Sequence, residues 1–243
     1  MSDKRLVWDL PLRAFHWLLF LSIVGLWGTA KADADYMDWL TKHFDVTWMQ
    51  WHFRIGYFVI GLLLFRVVWG FIGPKHARFV NFIPGPSRVL SYLGGLFKRD
   101  SVPTVGHNPI GALMVLVILA SVGLQAFTGL FTSDDIIWSG PYNSVVSAAL
   151  ADKMGAIHHE NYEILLVIVA LHIAAIVYYA VWKRQRLVPP MVTGYKDARL
   201  VPEHEAIKSS ELLKALIVGL VCAGAVTVLV QKAPEPPTTA SFD

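Results

Sequence analysis

The chain has 243 residues, of which 55% are apolar and only 16% charged, with a formal charge of +3. Soluble domains carry about 25% charged residues, so an ordinary soluble fold is excluded, and so small a charge spread over several loops argues against nucleic acid as a partner. The single cysteine, Cys222, excludes an internal disulfide, a thiolate metal cluster and a Cys-x-x-Cys-His haem attachment.

Five apolar runs approach or exceed the about 20 residues that a helix needs to cross hydrocarbon. In chain order they cover Leu10–Ala30, Trp51–Gly73, Pro109–Phe131, His158–Trp182 and Leu212–Val230. Helices are expected, because a segment in lipid must satisfy its own backbone hydrogen bonds. The first run, with Ala30-Lys31-Ala32 at its end, also resembles a secretory signal. Four further spans make that alternative a detail of processing. Lys4, Arg5 and Arg13 precede the first run, Lys75 to Arg99 supply five basic residues before the third, and six more lie between Lys183 and Lys208. Asp33, Asp35, Asp38 and Asp45 occupy the first intervening loop, and Asp134, Asp135 and Asp152 the third. The positive-inside rule therefore predicts a multi-pass membrane protein with its N terminus in the cytoplasm and its C-terminal tail outside. Trp8, Trp48, Trp51, Trp69, Trp138 and Trp182 are expected as interfacial anchors. Ala233–Asp243, with three prolines, reads as a disordered tail.

Nine histidines in so apolar a chain need a reason. His16 lies in the first span, His52 opens the second, and the fourth holds His158 and His172, fourteen residues apart. Fourteen helical residues return to within roughly 40° of one face and advance about 21 Å. His52 and His158 both begin spans on the outer side. His16, fourteen residues below Ala30, falls at the depth of His172. The expected pairs are His52 with His158 and His16 with His172, each gripping one haem b iron, with the irons about 20 Å apart. Six-coordinate iron has no open position, which suits transfer of single electrons. His159 is the rival to His158, but thirteen residues from His172 would rotate it about 140° away.

Arg54 and Arg66 lie inside the second span, where charge costs about 2.5–3.5 kcal/mol and marks a function. Both read as haem-propionate partners, with snorkelling to the interfaces as the alternative. His107, in Gly106-His107-Asn108-Pro109, is either part of a helix start or a contact for quinone or a propionate. Gln125 is expected in a helix–helix hydrogen bond, and Gly219, Ala223 and Gly224 allow the fifth span to pack closely on the bundle, a second copy or a partner. His16 lies three residues from Arg13, whereas His172 lies eleven from Lys183, an unequal reach to the inner surface.

Over residues 6–196 the chain resembles the bacterial cytochrome b561 family, which includes the b-type cytochrome subunits of nickel–iron hydrogenases. The likeness rests on Val7-Trp8-Asp9-Leu10-Pro11 leading to Phe15-His16-Trp17, Trp51-His52-Phe53-Arg54-Ile55-Gly56-Tyr57, Gly106-His107-Asn108-Pro109, Leu171-His172 and Met191-Val192-Thr193-Gly194. The resemblance implies an all-α, four-helix core with two bis-histidine haems, mapping onto His16, His52, His158 and His172. It also implies exchange with ubiquinone or menaquinone near the inner haem. On this reading residues 1–200 form the di-haem domain, 201–232 an added helix and 233–243 a tail. The expected function is electron transfer between quinone and a periplasmic c-type cytochrome or hydrogenase-like protein. The alternatives are a stand-alone superoxide:quinone oxidoreductase of the same fold, and a haem-free transporter or scaffold.

Overall fold

The computed structural model describes residues 3–31, 42–43, 46–98, 103–133 and 138–234. In chain order they form β1 (Lys4–Leu6), α1 (Leu10–Lys31), α2 (Trp48–Ile72), the short α3 (Phe79–Phe82) and α4 (Pro86–Gly94), α5 (Pro109–Gly129), α6 (Ala148–Val181), α7 (Val188–Thr193), β2 (Tyr195–Asp197) and α8 (Leu212–Gln231). Five of these, α1, α2, α5, α6 and α8, are long and apolar enough to cross a membrane. The chain is a multi-pass membrane protein. Asp33, Asp35, Asp38, Asp45, Arg99, Asp134 and Asp135, and residues 235–243 of the expected tail, lie outside the described residues.

Helix starts follow local chemistry. Thr47 and Gln50 form a reciprocal capping box, so α2 begins at Trp48, ahead of its apolar run. Asn108 caps α5 through the Gly111 amide, with Pro109 in the first turn. Ser147 caps α6 eleven residues before His158, so this helix is 34 residues long.

α1 packs along α2 and α5 along α6, the two pairs meet through α2 and α5, and α8 lies against α2. Val218 and Cys222 are buried on the packed face of α8, and the Tyr142 hydroxyl donates to the Leu229 carbonyl at 2.8 Å. Elsewhere apolar side chains such as Leu21, Phe71, Val181 and Leu213 are exposed, as lipid requires.

The best-buried layer lies at the end of the bundle where α1 begins, which the basic loops make the inner end. Val7, Trp8, Leu12, Trp69 and Val201 are buried there. β1 pairs antiparallel with β2, Lys4 opposite Asp197 and Leu6 opposite Tyr195. The amides of Val7 and Trp8 donate to the Gly194 carbonyl at 2.9 and 3.1 Å, and Ile207 N donates to Leu6 O at 2.9 Å. Gly194 has φ 90°, and a Cβ there would lie 2.8 Å from the Trp8 carbonyl, so both backbone angle and space demand glycine.

The unequal reach to the inner surface is absorbed by α6, whose last turn continues past the bundle onto α4. Tyr178 donates to the Leu96 carbonyl at 2.9 Å, the Tyr92 and Tyr179 hydroxyls are 2.6 Å apart, and Lys183 is bound to the carbonyls of Gly95 and Lys98. Two tryptophans expected as interfacial anchors are core residues instead. Trp69 is fully buried and its indole donates to Asp9 Oδ1 at 3.0 Å, and Trp8 is 6% exposed. The Trp69 indole finds its partner in protein, so it needs no interface.

Candidate functional site

His16 of α1 and His172 of α6 approach one another with ring centroids 6.5 Å apart and ring planes tilted by 56°. Two metal–nitrogen bonds of about 2 Å plus roughly 1 Å from each nitrogen to its ring centre would set centroids about 6 Å apart. The observed spacing therefore fits two imidazoles on one iron. His16 Nδ1 is buried with no hydrogen-bond partner among the described residues.

The other two histidines are held by threonines one helix away. The Thr29 hydroxyl donates to the backbone carbonyls of Gly25 and Leu26, both at 3.0 Å, so its oxygen accepts from His52 Nδ1 at 2.9 Å. His158 Nδ1 donates to the Gln125 carbonyl at 3.0 Å and lies 3.2 Å from Thr128 Oγ1, whose own proton goes to Leu124 O at 2.8 Å. Both rings are thereby fixed with the proton on Nδ1, which leaves the Nε2 lone pair for a metal. His52 and His158 are close enough to interact electrostatically. His159 touches His158 edge-on at 6.3 Å but is itself exposed.

The expected glutamine bond is present and wider than one contact. Gln125 donates to the His158 carbonyl at 2.9 Å, accepts from Asn161 at 2.7 Å, and Asn161 also donates to Ser121 O at 2.9 Å. A ladder of polar side chains thus locks α5 to α6 beside His158.

Arg54 is exposed, with its guanidinium 5.5 Å from the centre of the Trp51 ring. Arg66 is 1% exposed and sits 4.6 and 5.8 Å from the ring centres of Phe79 and Phe82. It interacts electrostatically with Asp9 and His107. His107 packs on Trp8 and Phe82 at 4.7 and 4.6 Å, and burial pushes its pKa down to about 3, helped by the positive charge of Arg66. Asp9 caps α1 through the Leu12 amide at 2.9 Å, and desolvation raises its pKa above the usual carboxylate value. Asp9 Oδ2, Arg66 Nη1 and His107 Nδ1 are all buried without a hydrogen-bond partner among the described residues.

Asp9 was not singled out by sequence reasoning, although an acid directly before an apolar run and an arginine inside the next span are a readable pair. Thr29 and Thr128 carried no comparable signal, because a threonine becomes a histidine partner only through the crossing of two helices.

A bundle of membrane-crossing helices in which His16 and His172 come within 6.5 Å of each other fits the class of membrane-bound b-type cytochromes. The model of the family described as prokaryotic cytochrome b561 matches residues 7–194, and the chain belongs to that family. Among its relatives are probable Ni/Fe-hydrogenase B-type cytochrome subunits of Azotobacter chroococcum mcd 1 (24% identical, 78% of this chain and 87% of the relative), Rhodobacter capsulatus (23%, 80% and 83%) and Cupriavidus necator (26%, 78% and 86%). The protein is a membrane electron-transfer cytochrome of the haem b type.

Proposed function

We propose that the chain carries electrons across the membrane through two bis-histidine b haems, between a periplasmic redox protein and membrane quinone. The observation that carries this reading is the 6.5 Å approach of the His16 and His172 rings. His16 and His172 would hold the inner haem, and His52 and His158 the outer one, with residues 1–200 forming the di-haem unit. Haem b supplies a reversible one-electron couple when bound. The chain's own residues fix the imidazole tautomers through Thr29, Thr128 and Gln125, and offer guanidinium groups to propionates at Arg54 and Arg66.

A guanidinium with an unpartnered nitrogen in an apolar wall fits a carboxylate missing from the protein itself, which supports Arg66 in this role. Kinship with hydrogenase cytochrome subunits supports a hydrogenase-like protein or a c-type cytochrome as the periplasmic partner. On this reading quinone would bind at the inner end, near His107. The test is a reduced-minus-oxidised spectrum with haem extraction from protein made in haem-replete cells. Two haems per chain are expected in the wild type and one in His16→Ala; one or none in the wild type overturns the reading.

A further inference from the structure

At the inner end a line of titratable side chains runs from the surface to the three unpartnered atoms of Asp9, Arg66 and His107. Glu205 begins it: its carboxylate lies 2.8 Å from Lys75 Nζ and 3.6 Å from His204 Nε2. His76 follows, 8% exposed, with Nε2 donating to the Glu205 carbonyl at 2.8 Å and standing 4.0 Å from its carboxylate. Its other nitrogen, Nδ1, faces Gly106: a Cβ on that residue would lie 2.9 Å away. So His76 has one nitrogen at the Glu205 side and the other against the backbone that carries His107. Trp8 packs against both rings, at 6.1 Å from His76 and 4.7 Å from His107. His107 in turn interacts electrostatically with His76 on one side and Arg66 on the other, and Arg66 with Asp9.

We propose that Glu205, His76, His107 and Asp9 form a proton path between the inner aqueous surface and a quinone at the inner end, with Arg66 as a positioning residue. The proposal rests on the quinone reading above. Quinone reduction needs two electrons and two protons, and each quinone oxygen gains one O–H bond. The electrons come from the reduced cytochrome, and the protons from the inner water through this path. Quinol oxidation returns both along the same routes. Buried polar atoms without partners are rare in folded proteins, and Asp9 Oδ2 and His107 Nδ1, on two residues that both interact electrostatically with Arg66, suit water molecules or a ligand oxygen.

The chemistry of each group agrees. His107, its pKa down near 3, is neutral at physiological pH and can accept at one ring nitrogen while releasing from the other. Burial raises the Asp9 carboxyl, which favours its holding a proton. Arg66 keeps its charge and passes nothing on; it fixes the orientation of Asp9 and the ligand. The remaining charges facing the path are Lys75 and His204 beside Glu205, and Lys196 of β2, whose ammonium lies 6.0 Å from the centre of the Trp8 ring.

The test mixes the purified, haem-loaded chain with a short-chain quinol, following haem absorbance and proton release together. In His76→Gln both should slow about tenfold or more, and added imidazole should restore them. Reduction by dithionite should match the wild type. Glu205→Gln, a surface change, should slow the same step and guards against misfolding of the first variant. The infrared difference between oxidised and reduced wild type should contain a carboxyl band that Asp9→Asn removes. Wild-type rates in both path variants, failure of imidazole to restore the rate, or absence of the Asp9 band would each overturn the path. A wild type that dithionite reduces but quinol does not would instead remove the quinone reading, and the path with it.

Discussion

His52 and His158 differ from His16 and His172 in one respect that measurement can reach: each has its Nδ1 proton held by a neighbouring helix. Thr29→Val removes the acceptor for His52 while keeping the shape of the side chain. Partners of this kind are worth about 10–100-fold in metal affinity, so a haem held by His52 and His158, as proposed above, should dissociate at least tenfold faster. Timed transfer to apomyoglobin would measure it, and an unchanged rate would exclude the threonine from the site. His107 predicts a pH effect. Its folded pKa of about 3 lies below the ordinary histidine value of 6.5, so the unfolded chain binds the proton more tightly. The stability held by neutral His107 is complete above pH 6.5 and is lost as pH falls from there towards 3, by up to a few kcal/mol. Thermal melting of the wild type should decline over that window, and His107→Gln should flatten the decline. At this scale the approach of His16 to His172 and the presence of Arg66 inside a span were legible, because such residues are conspicuous in an apolar run. Asp9, Thr29 and His76 were not, because their roles come from neighbours 23 to 129 residues away.

Helix boundaries were readable to within a turn where hydropathy set them, at α1 and α8. They were displaced where a cap outside the apolar run set the start, as at Thr47 and Ser147. The short α3 and α4 escaped notice altogether. Four and nine residues are too few for a periodic signal, and their purpose is tertiary. α3 brings Phe79 and Phe82 over Arg66, while α4 receives the end of α6. The crossing of α2 and α3 depends on Gly70, where a Cβ would lie 2.0 Å from Phe79 Cε2. Gly70→Ala should force that ring off the guanidinium and destabilise the inner end by about 1–3 kcal/mol. A haem retained at the inner level but lost at lower temperature would be the signature in a thermal scan read at the Soret band. An unchanged scan would mean that α3 yields without cost.

For the molecule as a whole, orientation follows from charge. Arg186→Cys, in a Cys222→Ala background, should be modified by an impermeant maleimide only in inside-out vesicles; labelling of intact spheroplasts would reverse the topology. The helical bundle and its hydropathic spans could be read from one sequence because length across a membrane is counted along a helix. The inner closure could not, because it joins residues from opposite ends of the chain. That closure has a consequence for biosynthesis. β1 lacks its strand partner until β2 has been made, and Leu6 its outer bond until Ile207 follows. Four spans must therefore leave the ribosome before the leading peptide can dock. Until then the buried layer around Trp8, Leu12 and Trp69 lacks Val201, and its inner side stands open to water. Assembly of the cytoplasmic face is thus a late event, completed just as the last helix begins to emerge.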